Sequence, residues 1–283
     1  MKIPVGIINH MNNCYINCAL QILLNLPDIN NELIFRLANY RGEIDCKHFS
    51  LVKRYLELFI KTETGAVRGS GPLDIDRFYR SLCNEGIVSI GKQGDYHESL
   101  LLICDRLTCI QKIIGCVPTF DDIMMGELCK TILCSECNKS HKLKEPFSTV
   151  QLIKSLDHSF DVLQANFVTD NYKCEHCGKT TTAQISTVIK KLPLLLILHR
   201  PQIDSEHIEI EPNLRFHTSS SEHYYSIYGT VHHRGSQSNG HYYIQLFLDS
   251  KIYLINDTTV TTRDQPETNN IVSKIYWGDS LSP

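Results

Sequence analysis

Gly6-Ile7-Ile8-Asn9-His10-Met11-Asn12-Asn13-Cys14-Tyr15-Ile16-Asn17-Cys18-Ala19-Leu20-Gln21 places a cysteine at the end of an asparagine-rich turn, directly before a segment with helical spacing. From Asn17 to Leu26 the leucines Leu20, Leu23 and Leu24 recur at i, i+3 and i+4, and Pro27 is expected to stop the run. A helix N-terminus presents unpaired N–H groups and the positive end of its dipole, which favour a thiolate over a thiol. Cys14 is therefore a candidate nucleophile. Taken alone it would better suit a packed, inert thiol, since free cysteine is among the most buried residue types.

A nucleophile needs a base, and the far end of the chain offers one. Tyr228 to Tyr243 holds Gly229, a polar loop with Gly235 and Gly240, and then His241 at the start of an alternating segment. A turn near Asp249-Ser250 leads into the returning strand Lys251-Ile252-Tyr253-Leu254-Ile255-Asn256-Asp257. If that turn closes a simple hairpin, Tyr243 faces Asn256 and His241 faces Thr258. Asn256 or Asp257 then lies within a residue or two of His241, where an amide or a carboxylate orients the ring. The spacing leaves both open. His232 and His233 read better as structural histidines.

The chain has 12 cysteines, and two pairs stand apart by spacing: Cys134-Ser-Glu-Cys137 and Cys174-Glu-His-Cys177, the second followed by Gly178. A C-x-x-C turn aims two thiolates at one point, and two such turns close a tetrahedron of sulfurs at ~2.3 Å from zinc. Cys134, Cys137, Cys174 and Cys177 are thus expected to hold one structural zinc ion, with no coordination position left open for water. Cys18, Cys46, Cys83, Cys104, Cys109, Cys116 and Cys129 read as buried small hydrophobes.

The remaining sequence is α+β with uneven distribution. Helical spacing continues in His48 to Ile60, Asp74 to Cys83 and Asp95 to Leu107, the last with Asp95 and Glu98 where a helix dipole favours acids. From about Thr180 the pattern turns to strands at Thr187 to Ile189, Leu194 to His199, Tyr224 to Val231, His241 to Phe247, Lys251 to Ile255 and Ile271 to Trp277. With 283 residues, 42% of them hydrophobic, the chain can bury about three quarters of its unfolded surface in one large, lobed domain. The 28 basic residues against 31 acidic ones give a net charge of -3 without any dense basic run, which argues against nucleic acid as a partner. The longest apolar run, Leu192 to Leu198, contains Pro193 and falls far short of the ~20 residues of a membrane helix. Residues 1–8 lack the apolar core of a secretory signal, so a cytosolic or nuclear address is expected. The Ser219 to Ser221 run is too short for a linker.

Together these segments carry a family resemblance. The Cys14 segment resembles the Cys box of the ubiquitin-specific proteases, G-L-x-N-L-G-N-T-C-Y-M-N-S-x-L-Q, matching at Gly6, Asn9, Asn12, Cys14, Tyr15, Asn17, Leu20 and Gln21. Gly240-His241-Tyr242 with Tyr253 to Val260 is similar to the family's His box. Gln93-Gly94-Asp95-Tyr96-His97-Glu98 resembles its Q-Q-D-A-H-E motif, and Lys191-Leu192-Pro193 through Leu198-His199-Arg200 its K-L-P…L-x-R segment. The motifs fall in the family's order from about residue 5 to residue 278. Met11 stands where the pattern has Gly, His10 where it has an aliphatic residue, Asn13 where it has Thr, Cys18 where it has Ser and Ser99 where it has Phe. A glycine-only backbone at Met11 would demand a changed loop.

The resemblance implies a papain-like cysteine protease of hand architecture within a single catalytic domain: a helical thumb over about 1–120, zinc-bearing β fingers over about 121–190 and a β-rich palm over about 191–283. It implies Cys14 as nucleophile, His241 as base and then acid, Asn256 as the orienting group with Asp257 beside it, and Asn9 as an oxyanion donor. Gln93, Asp95 and Glu98 would line the cleft for the extended tail of ubiquitin. The implied partner is ubiquitin or a ubiquitin-like modifier and its conjugates, acted on by a monomer. Two alternatives stand beside it: a protease for another modifier, such as the interferon-induced tandem one, and a catalytically weak ubiquitin-binding scaffold.

Overall fold

The computed structural model describes residues 3–64, 71–152, 160, 164, 166–200, 208–217, 222–236 and 239–278. The Ser219 to Ser221 run lies outside them, as do residues 237–238 of the loop before His241. The chain divides into two compact units, one formed by 1–123, 201–210 and 227–274, the other by 124–200, 211–226 and 275–283.

The first unit is built on helix α1 (Cys14–Leu24), in which all eleven residues are buried. It packs against α5 (Tyr96–Ile114) on one side and strand β9 (Asn239–Leu248) on the other. Pro27 does not end this helix. The chain leaves α1 at Leu24, and Pro27 opens α2 (Pro27–Asn39) from its first turn, where a missing N–H costs nothing. Helix α3 (Phe49–Glu63) turns Leu51, Tyr55, Leu58 and Phe59 inward, the stripe expected from spacing; α4 (Asp76–Asn84) buries Phe78, Tyr79 and Leu82. Helix α5 starts on Asp95, whose side chain accepts the Glu98 N–H, and stops at Gly115 in the left-handed conformation. Short α6 (Phe120–Met124) follows. Among the described residues no helix is long and apolar enough to cross a membrane.

The sheet of this unit carries the predicted hairpin. Strands β9 and β10 (Lys251–Asn256) pair from Leu248 opposite Lys251 to Ile244 opposite Ile255, which is the register expected from a two-residue turn. Asp249 and Ser250 both take positive φ, 49° and 62°, as a type I′ turn requires. A second tight hairpin, absent from the sequence reading, joins β10 to β11 (Thr259–Arg263) with Asn256 opposite Thr259 and Asp257 at φ 49°. On the other side of β9 runs the distal part of β8 (Glu222–Ser236), with Arg234 opposite His241.

The second unit holds a four-stranded antiparallel sheet in the order β2-β1-β5-β4, from the hairpins β1 (Gly126–Cys134)/β2 (Ser140–Phe147) and β4 (Asn166–Lys173)/β5 (Thr180–Lys191). Pro146 is tolerated because β2 lies at the edge. Strand β3 (Val150–Gln151) runs parallel to β6 (Leu195–His199), whose four leucine and isoleucine side chains are fully buried. Strand β7 (Asn213–His217) pairs with the start of β8, stacking Phe216 against Phe160 and Tyr225. Strand β12 (Ile271–Gly278), like β8, contributes residues to both units.

Candidate active site and candidate metal centre

The asparagine-rich loop is held from below by its own side chains. Ile7 N–H donates to the Asp257 carbonyl at 2.8 Å and Leu73 N–H to the Gly6 carbonyl at 2.8 Å, so the chain enters the loop between two fixed backbones. Gly6 is required there, because a Cβ would lie 2.3 Å from the Thr258 carbonyl oxygen. Asn13 Oδ1 then accepts from the backbone N–H groups of His10 and Met11, at 2.8 and 3.1 Å, while its amide donates to Asn17 Oδ1. Asn9 Oδ1 accepts the Asn13 N–H at 3.0 Å. The left-handed residue of the loop is Asn12, at φ 55°, and not Met11; the departure at the glycine position carries no backbone strain.

Because the Asn13 side chain is spent inside the loop, it does not cap the helix it precedes, and no acidic residue occupies the first turn. Cys14 is the first residue of α1 and is buried, with its sulfur 3.5 Å from the Tyr242 backbone N–H, which donates to it. His241 is brought to it at the start of β9. Its Nε2 donates to Asn256 Oδ1 at 2.6 Å, which leaves Nδ1 for the sulfur. The hydrogen bond to Cys14, reinforced by the one to Asn256 and opposed by burial, pushes the ring up to about 9.

Asp257 is the more distant of the two candidate orienting groups, with Oδ2 3.9 Å from His241 Nε2. Its carboxylate is engaged by two asparagines, accepting from Asn17 Nδ2 at 2.7 Å and from Asn9 Nδ2 at 2.9 Å. Asp257 thus clamps the Cys14 loop to the His241 hairpin, and Asn9 uses one of its two amide hydrogens in that clamp. Gln93 and Asp95 do not stand free either. Gln93 Oε1 accepts the Gly240 N–H at 2.9 Å and its amide lies 3.3 Å from His233 Nε2; Asp95 caps α5 and lies 3.4 Å from the Tyr242 hydroxyl. Both support the 240–242 segment from behind. Glu98 is exposed on the first turn of α5.

Three supporting residues escaped the sequence reading as functional ones: Asn13, Asn17 and His233. Asn17 had a signal, its place in the quoted motif. His233 sits under Gly240, where a Cβ would lie 2.1 Å from its ring, and packs 4.3 Å from the Tyr242 ring. His232 is fully buried, accepts at Nε2 from Gln245, donates from Nδ1 to the Asn269 carbonyl, and is pushed by desolvation down to about 4. It is a structural, neutral histidine.

In the second unit the two C-x-x-C turns are built alike. Cys134 N–H donates to the Lys139 carbonyl and Cys174 N–H to that of Lys179, while Asn138 and Gly178 return N–H bonds to the Cys134 and Cys174 carbonyls with φ of 55° and 70°. Pairing of β1 with β5 sets the turns side by side. Sulfur separations are 4.0 Å for Cys134–Cys177 and 3.8 Å for Cys137–Cys174, and all four sulfurs lie within 4.8 Å of one another. A tetrahedron with ~2.3 Å metal–sulfur bonds has edges of about 3.8 Å, so this set fits a metal ion. Backbone N–H groups of Cys177 and His176 pull the Cys174 thiol down to about 7, whereas at Cys137 the lowering bond from the Lys139 backbone is outweighed by burial and the neighbouring sulfurs, which push that thiol up to about 11. Of the seven other cysteines, Cys18, Cys104 and Cys116 are buried as expected, but Cys46, Cys83, Cys109 and Cys129 are only half-buried.

A buried thiol at a helix N-terminus, bonded to an imidazole whose other nitrogen is fixed by an amide, defines the class of the cysteine hydrolases. Residues 5–277 match the family model described as ubiquitin carboxyl-terminal hydrolase, and the chain belongs to that family. It is 22% identical to the probable ubiquitin carboxyl-terminal hydrolase 8 of Schizosaccharomyces pombe, over 94% of this chain and 62% of that protein. It is also 22% identical to human ubiquitin carboxyl-terminal hydrolase 34, over 97% of this chain and 9% of that protein. The chain therefore spans under two thirds of the length of either relative. Among solved structures it shares its fold with the SAGA DUB module Ubp8/Sgf11/Sus1/Sgf73 bound to ubiquitin aldehyde, with a TM-score of 0.76 at 18% identity, over 100% of this chain and 71% of that one. A second structure of that module, a Ubp8 variant bound to monoubiquitin, matches with a TM-score of 0.76 over 98% of this chain and 70% of that one.

Proposed function

We propose that this protein is a deubiquitinating cysteine protease that cleaves the peptide or isopeptide bond following the C-terminal glycine of ubiquitin. The observation that carries the reading is His241 held between the Cys14 sulfur and Asn256 Oδ1, in a chain whose family match runs from residue 5 to residue 277. In this reading the Cys14 thiolate attacks the glycine carbonyl. The His241 imidazolium protonates the departing lysine amine, and the ring then takes a proton from the water that opens the thioester. The free amide hydrogen of Asn9 serves the oxyanion, a contribution typically worth about 3 kcal/mol. Gln93 and Asp95 act by fixing residues 240–242 on the wall of the tail cleft, and Glu98 meets the substrate from its exposed position.

The four-cysteine centre holds zinc. A closed set of four sulfurs supplies structure and no catalytic water. Cys134, Cys137, Cys174 and Cys177 would thereby fix the ends of the two hairpins that form the fingers in this reading. Ubiquitin is favoured as the modifier because both solved relatives were captured with it or its aldehyde.

The test is a panel of modifier probes carrying a C-terminal electrophile, with turnover of a fluorogenic ubiquitin amide measured alongside. Labelling by the ubiquitin probe at Cys14, and turnover that disappears in Cys14→Ala, are expected. Labelling only by a ubiquitin-like modifier would transfer the reading to that modifier, and binding of ubiquitin without turnover would reduce the protein to a scaffold.

A further inference from the structure

Cys46 and Cys109 take no part in the site at Cys14 or in the four-sulfur centre, yet their sulfurs are 3.3 Å apart. Cys46 lies in the segment between α2 and α3, and Cys109 on α5, 63 positions further along the chain. Both are free thiols and both are half-buried, so an oxidant in solution reaches them where it does not reach the buried Cys18 or Cys104. Two small hydrophobes in contact would explain the packing. They would not explain why the contact is sulfur to sulfur at a partly open position.

We propose that Cys46 and Cys109 form a site for a reversible intramolecular disulfide, which fastens the α2–α3 connection to α5. Closing the bond brings the sulfurs about 1.3 Å nearer, from 3.3 Å to the ~2.05 Å of a disulfide, within the reach of side-chain rotation on the Cys46 loop. With glutathione disulfide as oxidant, one cysteine thiolate attacks a glutathione sulfur and releases the first glutathione thiolate. The second cysteine, as thiolate, displaces the second glutathione from the mixed disulfide. Two protein thiols lose two electrons and two protons, and one glutathione disulfide becomes two glutathiones. Because the partner sulfur is already in contact, closure outruns a second encounter with oxidant, and the mixed disulfide does not accumulate.

The consequence is mechanical. Helix α5 packs on α1, and its cap residue Asp95 faces Tyr242, so the bridge ties a surface loop to the helix that underlies the Cys14 site. It constrains the unfolded chain over a long loop while leaving the site's own groups untouched.

The experiment incubates the purified full chain with a glutathione/glutathione disulfide series and maps the cysteines by mass spectrometry without reduction, alongside Cys46→Ser and Cys109→Ser. The expected product is a peptide pair joined between Cys46 and Cys109, absent in both variants. The oxidised wild type should melt roughly 10 °C higher than the reduced protein, with no such rise in either variant. Separate glutathione adducts on Cys46 and Cys109, or both thiols free where Cys14 is already modified, would overturn the proposal. A bridge without a rise in melting temperature would overturn the stapling. The wild-type map decides the first point even if a variant fails to fold.

Discussion

Replacing Asp257 with alanine separates the clamp from the chemistry. The carboxylate accepts two charged hydrogen bonds, from Asn17 at 2.7 Å and Asn9 at 2.9 Å, and Asn17 is itself buried. Hydrogen bonds to a charged group contribute about 1.5–3 kcal/mol each, and a buried amide left unpaired costs about 1–3 kcal/mol. The Asp257 side chain is 17% exposed, so water entering the vacated space repairs part of the loss, chiefly at the half-buried Asn9. The expected destabilisation is about 2–4 kcal/mol, read from urea titration at constant m-value. Turnover should fall as well, because Asn9 and the Cys14 loop lose their anchor to the His241 hairpin. Asn256→Ala is the control: it removes a bond at a partly exposed ring, lowering kcat while moving the unfolding midpoint little. If Asp257→Ala unfolds within about 0.5 kcal/mol of the wild type, the carboxylate is not what joins the loop to the hairpin, and the architecture inferred for the site is wrong.

The His241 ring, raised to about 9, holds its proton more tightly in the folded protein than a free histidine does; its contribution is complete below about pH 6.5 and lost as pH rises through about 9. The alkaline limb of kcat/KM should therefore lie near pH 9 and move to lower pH in Asn256→Ala, and identical limbs in the two proteins would refute the role of Asn256. Cys134→Ser should release zinc and raise KM or unfold the protein, while the thiolate still alkylates normally wherever the fold survives; less than half an equivalent of zinc in the wild type would count against the centre. Gly6→Ala should cost about 1–3 kcal/mol and most of the activity, since its methyl meets the Thr258 backbone and not a movable side chain, and a variant as stable as the wild type would show that the loop sits elsewhere.

How far the sequence could be read depended on whether a feature is local. The β9–β10 register followed from a two-residue turn, because pairing propagates outward from the turn with no other freedom. The stripe of α3 followed from spacing, and the start of α5 from the acids Asp95 and Glu98, although Asp95 proved to be the cap and not a residue of the first turn. Strands β1, β2 and β4 did not show. The residues of β2 and β4, such as Ser140-His-Lys-Leu-Lys-Glu-Pro-Phe147, are mostly exposed on both faces, and those of β1 are half-buried along most of the strand, so alternation of apolar and polar residues has little to mark. Their partners are set by the hairpins that carry the paired cysteines, and those turns were visible. Helix α2 was missed because Pro27 signals both the end of one helix and the first turn of the next. In the site, Cys14, His241 and Asn256 were legible from motif and register. The hydrogen bonds among Asn9, Asn13, Asn17 and Asp257 were not, since they join residues up to 248 positions apart through side chains that have no periodicity to betray them.

That network also bears on what the sequence left open between Asn256 and Asp257. In a continuing strand, adjacent side chains would leave on opposite faces, and only one could reach His241. Here β10 ends at Asn256 and Asp257 enters a left-handed turn at φ 49°, which brings both side chains to the same side of the ring, at 2.6 and 3.9 Å. The nearer group is neutral and has a single task, holding Nε2. The farther one is charged, but its oxygens are spent on two amides that fix the loop before Cys14. Division of the roles removes a conflict: a carboxylate bonded directly to the ring would have to surrender either the loop or the imidazole whenever the other shifted. With an amide on the ring, the proton on His241 depends first on the sulfur it faces, and the charge of Asp257 acts at a distance while its geometry holds the two halves of the site together.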